Sequence, residues 1–162
     1  MVFLYAANVL FSIFIMNFNC PATVQEVYRA RTKTHYDIPL YICAISAGFP
    51  SPADEFLEGK LDLNQYLILH PLATYFVRVS GESMLGAGIH PGDLLVVDRS
   101  IEARDGKIVI AVVNGELLVK RLRLKGTQVY LVAEHPDYPE FQITEAMEFQ
   151  IWGVVTNVIH QV

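Results

Sequence analysis

The sequence predicts a compact, mostly β domain of twisted antiparallel strands, preceded by an extended N-terminal arm. Two observations carry this. From Thr74 onward, short runs of Val, Ile, Leu and aromatic residues recur, separated by Pro-Gly, Asp-Gly and Asn-Gly dipeptides. Before Gly48 the chain is punctuated by Pro21 and Pro39 and reads as extended.

The elements follow in order. Residues 17–47 form the arm, and Pro39 to Ala47 within it reads as a strand or an extended strip. Gly48-Phe-Pro-Ser-Pro-Ala53 holds two prolines and a glycine in six residues, which forbids a helix or a central strand. Asp54 to Lys60 reads as a short helical turn, and Asp62 to Leu69 fits helix or strand equally. Tyr75-Phe-Val-Arg-Val79 is a strand, and Asp93 to Asp98 is another after the Pro91-Gly92 turn. Lys107 to Val113 follows the Asp105-Gly106 turn, and Asn114-Gly115 makes a hairpin with Glu116 to Leu124. Val129 to Ala133 and Phe149 to Val158 complete a set of six or more short strands with turns between them, which implies a compact, mostly β domain.

Composition narrows the function. Apolar residues make up 52% of the 162, which excludes a disordered chain. The net charge of −5 and the absence of a long basic stripe give no support to direct, sequence-specific DNA binding. The densest basic stretch is Lys120 to Lys125. Strand alternation puts Arg121, Arg123 and Lys125 on one solvated face and turns Lys120 to the other. Cys20 and Cys43 form no CxxC motif, and the histidines (His35, His70, His90, His135, His160) are dispersed without an i, i+4 pair. No metal site and no cofactor are expected from this spacing, and the thiols suit a reducing, cytoplasmic compartment.

Residues Val2 to Met16 are nearly all apolar, interrupted by Asn8 and Ser12. The run is shorter than the roughly 20 residues of a membrane span. It also lacks the basic start of a signal peptide, since no Lys or Arg precedes Arg29. Three readings compete: a membrane anchor, an apolar arm packed on a partner, or sequence upstream of a true start at Met16. The third is favoured, because the run matches no targeting class and the chain becomes polar directly after it. No membrane association is expected on this reading.

Two positions carry chemistry. Ser80-Gly-Glu-Ser-Met84 follows a strand and forms a glycine-containing bend, with Gly86 and Gly88 close behind. Such a bend exposes a serine Oγ and turns backbone N–H groups toward an oxyanion. On its own it is a weak signal, since serines are common in glycine-rich turns. Lys120 lies in Leu117-Leu-Val-Lys-Arg-Leu122, on the same strand face as Leu118 and Leu122. A lysine on an apolar face either snorkels to water or serves a purpose, and burial is what converts a lysine into a base.

From about Ala44 to Val158 the chain resembles the self-cleaving serine proteases of the UmuD/LexA family (peptidase S24 type). Ser46-Ala-Gly-Phe-Pro-Ser-Pro-Ala53 looks like the cleavage region of UmuD proteins, and Leu61-Asp-Leu-Asn-Gln65 like the segment after it. Ser80 to Met84 resembles the nucleophile motif, Gly92 to Asp98 the following strand, and Val119-Lys-Arg-Leu122 the lysine motif. Order and spacing agree throughout. The resemblance implies the LexA/UmuD-type C-terminal protease domain, with Ser83 as nucleophile and Lys120 as general base. It also implies Ala47-Gly48 as the scissile bond, and Glu82 and Met84 as loop and oxyanion support. It divides the chain into an arm, 1–47, removed by self-cleavage, and a protease and dimerisation domain, 48–162. UmuD proteins often carry Cys before the scissile Gly; Ala47, as at LexA-type sites, leaves the chemistry intact. The arm is longer than is usual for UmuD when counted from Met1, and counting from Met16 reduces the difference.

The same resemblance implies a role in the SOS response to DNA damage. There, RecA–single-stranded-DNA filaments stimulate self-cleavage, and the dimeric product serves a UmuC-like polymerase subunit in translesion synthesis. A LexA-type repressor would need a helix-turn-helix domain of about sixty residues before the cut, and no such pattern precedes Gly48. Two alternatives stay open: a signal-peptidase-like membrane protease with the same Ser-Lys chemistry, and a polymerase accessory module without protease activity.

Overall fold

The computed structural model describes residues 23–30, 38–41 and 57–162. The apolar run 2–16, both cysteines and the expected scissile bond Ala47-Gly48 lie outside them. The domain is built almost wholly from antiparallel strands: β1 (Thr23–Arg29), β2 (Ile38–Tyr41), β3 (Leu57–Leu61), β4 (Thr74–Ser80), β5 (Leu94–Asp98), β6 (Ile108–Val113), β7 (Glu116–Lys125), β8 (Gln128–Val132), β9 (Phe141–Gln142) and β10 (Phe149–Ile159). The short helix α1 (Leu63–Leu67) starts at Asp62, whose carboxylate accepts the Asn64 amide at 2.8 Å. That cap decides the segment for which helix and strand were equally open. No helix among the described residues is long and apolar enough to cross a membrane.

Eight strands form one sheet in the order β1-β4-β5-β10-β6-β7-β8-β9, and β1 also meets β7 through Thr23 and Leu118. The first six therefore close on themselves as a small barrel. One edge of β7 pairs with β6, while its other edge meets β1 near its start and β8 near its end. Residues that sequence reading placed in an extended arm thus supply β1, a barrel strand paired with β4 from Thr23 to Arg29. Leu57 to Lys60, expected in a helical turn, are extended instead. They belong to β3, which pairs with β2 in a separate two-stranded ribbon. Gly59 in this stretch weakens any helix, and a two-stranded ribbon tolerates Pro39 at its edge.

The barrel interior is filled by Val77, Val79, Leu95, Val97, Ile110 and Val119, with Met84 and Ile89 plugging one end, all nearly or fully buried. These are the alternate residues of four strands, as one buried face requires. A bulge between Ile151 and Gly153 turns β10 around the barrel, and Gly153 lies inward against β5. A Cβ on Gly153 would stand 2.7 Å from Val97 Cγ1, so only glycine fits. On the opposite face of β6 and β7, Val109, Ala111, Val113 and Leu122 form a second core with Leu131 of β8 and Val154 of β10. Asn114 (φ 49°) and Gly115 (φ 85°) form the expected hairpin turn between β6 and β7.

Asp98 closes β5 with a buried carboxylate. It accepts the Ser100 amide at 2.7 Å and the Ser100 hydroxyl at 2.6 Å, and His70 Nδ1 lies 2.6 Å from its other oxygen. Burial opposes ionisation, but the Ser100 hydroxyl, His70 and the Ser100 amide outweigh it and hold the carboxyl below its ordinary range. Its stabilisation is therefore complete above the unfolded carboxylate value of about 3.9 and is lost as pH falls through the lower folded value. Asp98→Asn is expected to flatten the acid-side fall of the thermal midpoint. A midpoint profile with unchanged acid slope would contradict this assignment.

Candidate active site

Strand β4 ends at Ser80, and Gly81 (φ 81°) opens the bend that carries Ser83. The Leu85 amide donates to the Glu82 carbonyl at 3.1 Å and the Ala87 amide to the Met84 carbonyl at 3.0 Å, forming a 3-10 turn at Leu85–Ala87. The Met84 side chain is fully buried in the end of the barrel, so the residue after Ser83 anchors the bend in the core. Glu82 is exposed and contributes its carbonyl to the turn. Ser83 itself is fully buried.

A second segment clamps this bend. The Glu134 amide donates to the Ser83 carbonyl at 2.8 Å, and the Gly86 amide donates to the Glu134 carbonyl at 2.7 Å. The approach at Gly86 is too close for a side chain: a Cβ there would lie 2.6 Å from the Glu134 carbonyl oxygen. The Glu134 carboxylate accepts from the Arg121 guanidinium, which also donates to the Gly106 carbonyl at 2.6 Å. Arg121 is thus half-buried and structural rather than one of three solvated cations. On the same face, Arg123 faces Asp105 at 4.0 Å and Lys125 binds Glu140 at 2.9 Å. The sequence offered no signal for Glu134, whose contribution is made mostly by its backbone.

Lys120 comes from β7, directly across from Val109 of β6. Its strand face carries Leu118 and Leu122, and the chain packs it to 5% exposure. Lys120 Nζ lies 2.7 Å from Ser83 Oγ and 3.1 Å from the Val119 carbonyl oxygen. The two functional side chains expected from sequence, 37 positions apart, are therefore brought into hydrogen-bond contact. In this arrangement the ammonium form donates to the hydroxyl, whereas the neutral amine has a lone pair able to accept its proton. Burial is the influence that favours the neutral form of a lysine. Lys120 also borders a cleft of about 430 Å³, lined chiefly by apolar groups of Leu118, Leu131, Tyr138, Pro139 and Phe141.

A β barrel that holds a serine hydroxyl against a buried lysine beside an apolar cleft has the character of a serine peptidase domain. The family model described as Peptidase S24-like matches residues 39–156. The chain is 48% identical over 123 residues to Protein MucA of Salmonella typhimurium, covering 75% of this chain and 84% of that protein. It is 48% identical over 126 residues to Protein ImpA of the same organism, covering 78% and 86%. To the LexA repressor of Dechloromonas aromatica it is 41% identical over 123 residues, covering 75% of this chain and 60% of the repressor. The chain belongs to the Peptidase S24-like family of LexA/UmuD-type serine proteases.

Proposed function

We propose that the chain is a UmuD-like, self-cleaving serine protease of the SOS response, in which Ser83 is the nucleophile and Lys120 the general base. The observation that carries this reading is the buried 2.7 Å contact between Lys120 Nζ and Ser83 Oγ. Neutral Lys120 takes the Ser83 proton as Oγ attacks the Ala47 carbonyl carbon. Backbone amides of the bend around Ser83 and Met84 stabilise the oxyanion. The C–N bond to Gly48 breaks, Lys120 returns the proton to the leaving Gly48 amine, and an ester joins Ala47 to Ser83. Water, deprotonated by Lys120, hydrolyses the ester and regenerates the serine. The products are the arm, 1–47, and the domain, 48–162. Small side chains at Ala47 and Gly48 suit backbone entry beside a buried serine, and the apolar cleft suits the adjoining segment.

In this reading a RecA–single-stranded-DNA filament stimulates the cut in the cytoplasm, and the product works as a homodimer with a UmuC-like polymerase subunit. The support is family membership together with the motifs around Ala47, Ser83 and Lys120. Purified full chain incubated at neutral pH is expected to be cut faster when activated RecA filament is added. A chain that stays whole at every filament concentration would leave the Ser83–Lys120 contact a purely structural one.

The clamp on the bend makes a separate prediction. Gly86→Ala forces the bend away from Glu134 and shifts Ser83 relative to Lys120. Self-cleavage is expected to slow by about 100-fold, the scale of an ångström of misplacement, while the far-ultraviolet circular dichroism stays that of a folded β protein. A rate equal to that of the unsubstituted chain would show that the bend does not depend on the clamp.

A further inference from the structure

Away from Ser83, the pairing of β5 with β10 creates a second cluster of chemical groups. The register runs to Ile159 opposite Leu94, so the residue after β10 is delivered beside the residue before β5. Those residues are His160 and Asp93. Asp93 also closes a turn that begins at His90, its Oδ2 accepting the His90 amide at 2.8 Å. The Asp93 side chain is 3% exposed, whereas the two imidazoles are 47% and 46% exposed. His160 Nδ1 lies 2.6 Å from Asp93 Oδ1, and His90 Nδ1 lies 3.7 Å from Asp93 Oδ2. The ring centroids lie 4.9 Å apart, with the planes tilted by 45°.

We propose that His90, Asp93 and His160 form a binding site for a first-row divalent cation of the zinc type. One ligand atom from each of the three lies within 4.8 Å of the other two. Zinc holds nitrogen and oxygen ligands at about 2.0–2.1 Å in a tetrahedron, which sets them about 3.3–3.4 Å apart. The contacts run to different carboxylate oxygens, His160 Nδ1 to Oδ1 at 2.6 Å and His90 Nδ1 to Oδ2 at 3.7 Å, on either side of that spacing, and both rings are half-exposed. Two imidazoles and one carboxylate are a donor set suited to zinc, with solvent completing the shell on the exposed side. Buried carboxylates are paired with a cation or coordinate a metal. Spacing along the chain concealed the site, because His160 and Asp93 are 67 positions apart. The bound ion would tie the turn leading out of the Ser83 bend to the end of β10.

The test is a zinc titration of the purified, untagged full chain against a competing chelator, with His90→Gln and His160→Gln beside it. Both substitutions sit on half-exposed rings, and circular dichroism verifies that each variant is folded. The unsubstituted chain is expected to bind one zinc ion, with a thermal midpoint that rises with zinc concentration. Each variant is expected to bind at least about tenfold more weakly and to lose that rise, as removal of a ligand requires. Failure of the unsubstituted chain to bind zinc, or equal affinity in the folded variants, would overturn the site and assign any bound zinc to other residues.

Discussion

Ser83→Ala is expected to leave the domain folded and to stop self-cleavage altogether, a fall of at least about 10³-fold. The substitution removes one oxygen atom from a fully buried position. The bend does not depend on that atom, because its backbone is held by Glu134 and its neighbour Met84 is anchored in the barrel end. Lys120 keeps the Val119 carbonyl as a hydrogen-bond acceptor. Stability is therefore expected to change little, which separates loss of the nucleophile from loss of the fold. Intact mass and a thermal melt on the same sample read both quantities. A Ser83→Ala chain that still cuts itself at an appreciable rate would remove the serine from the mechanism.

Lys120→Met is expected to be as inactive as Ser83→Ala, yet at least as stable as the unsubstituted chain. Methionine has nearly the reach of lysine and no charge to desolvate, and Leu118, Leu122 and Val109 already supply an apolar setting. A functional group whose replacement by an apolar isostere raises the melting point is one retained for chemistry. Lys120→Ala tests something different, because it opens a cavity and is expected to lower stability by about 2 kcal/mol or more. Equal cleavage in the Met variant would exclude Lys120 as the base. A large loss of stability in that variant would show instead that the amine holds the structure together.

Much of the domain could be read from local pattern. Strands β4 to β8 and β10 were legible because alternation, β-branched residues and the turns at Gly92, Gly106 and Gly115 agree with one another. The orientation of Lys120 followed from counting along β7, whereas its contact with Ser83 is visible only in three dimensions. What escaped was long-range. Nothing in Thr-Val-Gln-Glu-Val-Tyr-Arg, residues 23 to 29, says that this segment closes a barrel between β4 and β7. Strand β3 was mistaken because its partner β2 is distant in sequence and its own residues favour no strand strongly. Arg121 was placed on a solvated face since alternation says where a side chain points but not that Glu134 awaits it there. The cluster at Asp93 needed the register of β5 on β10, which a single sequence does not print.

The measurement that bears most directly on the central claim is an intact-mass time course of the purified chain without any activator, from neutral to alkaline pH. A neutral lysine base predicts that the rate rises with pH as long as the domain stays folded, because the amine form becomes more populated. The products expected are the two pieces that meet at Ala47 and Gly48, absent from the Ser83→Ala and Lys120→Met samples. A rate that falls between neutral and alkaline pH in folded protein, a cut at another bond, or fragments that persist in both variants would contradict the account.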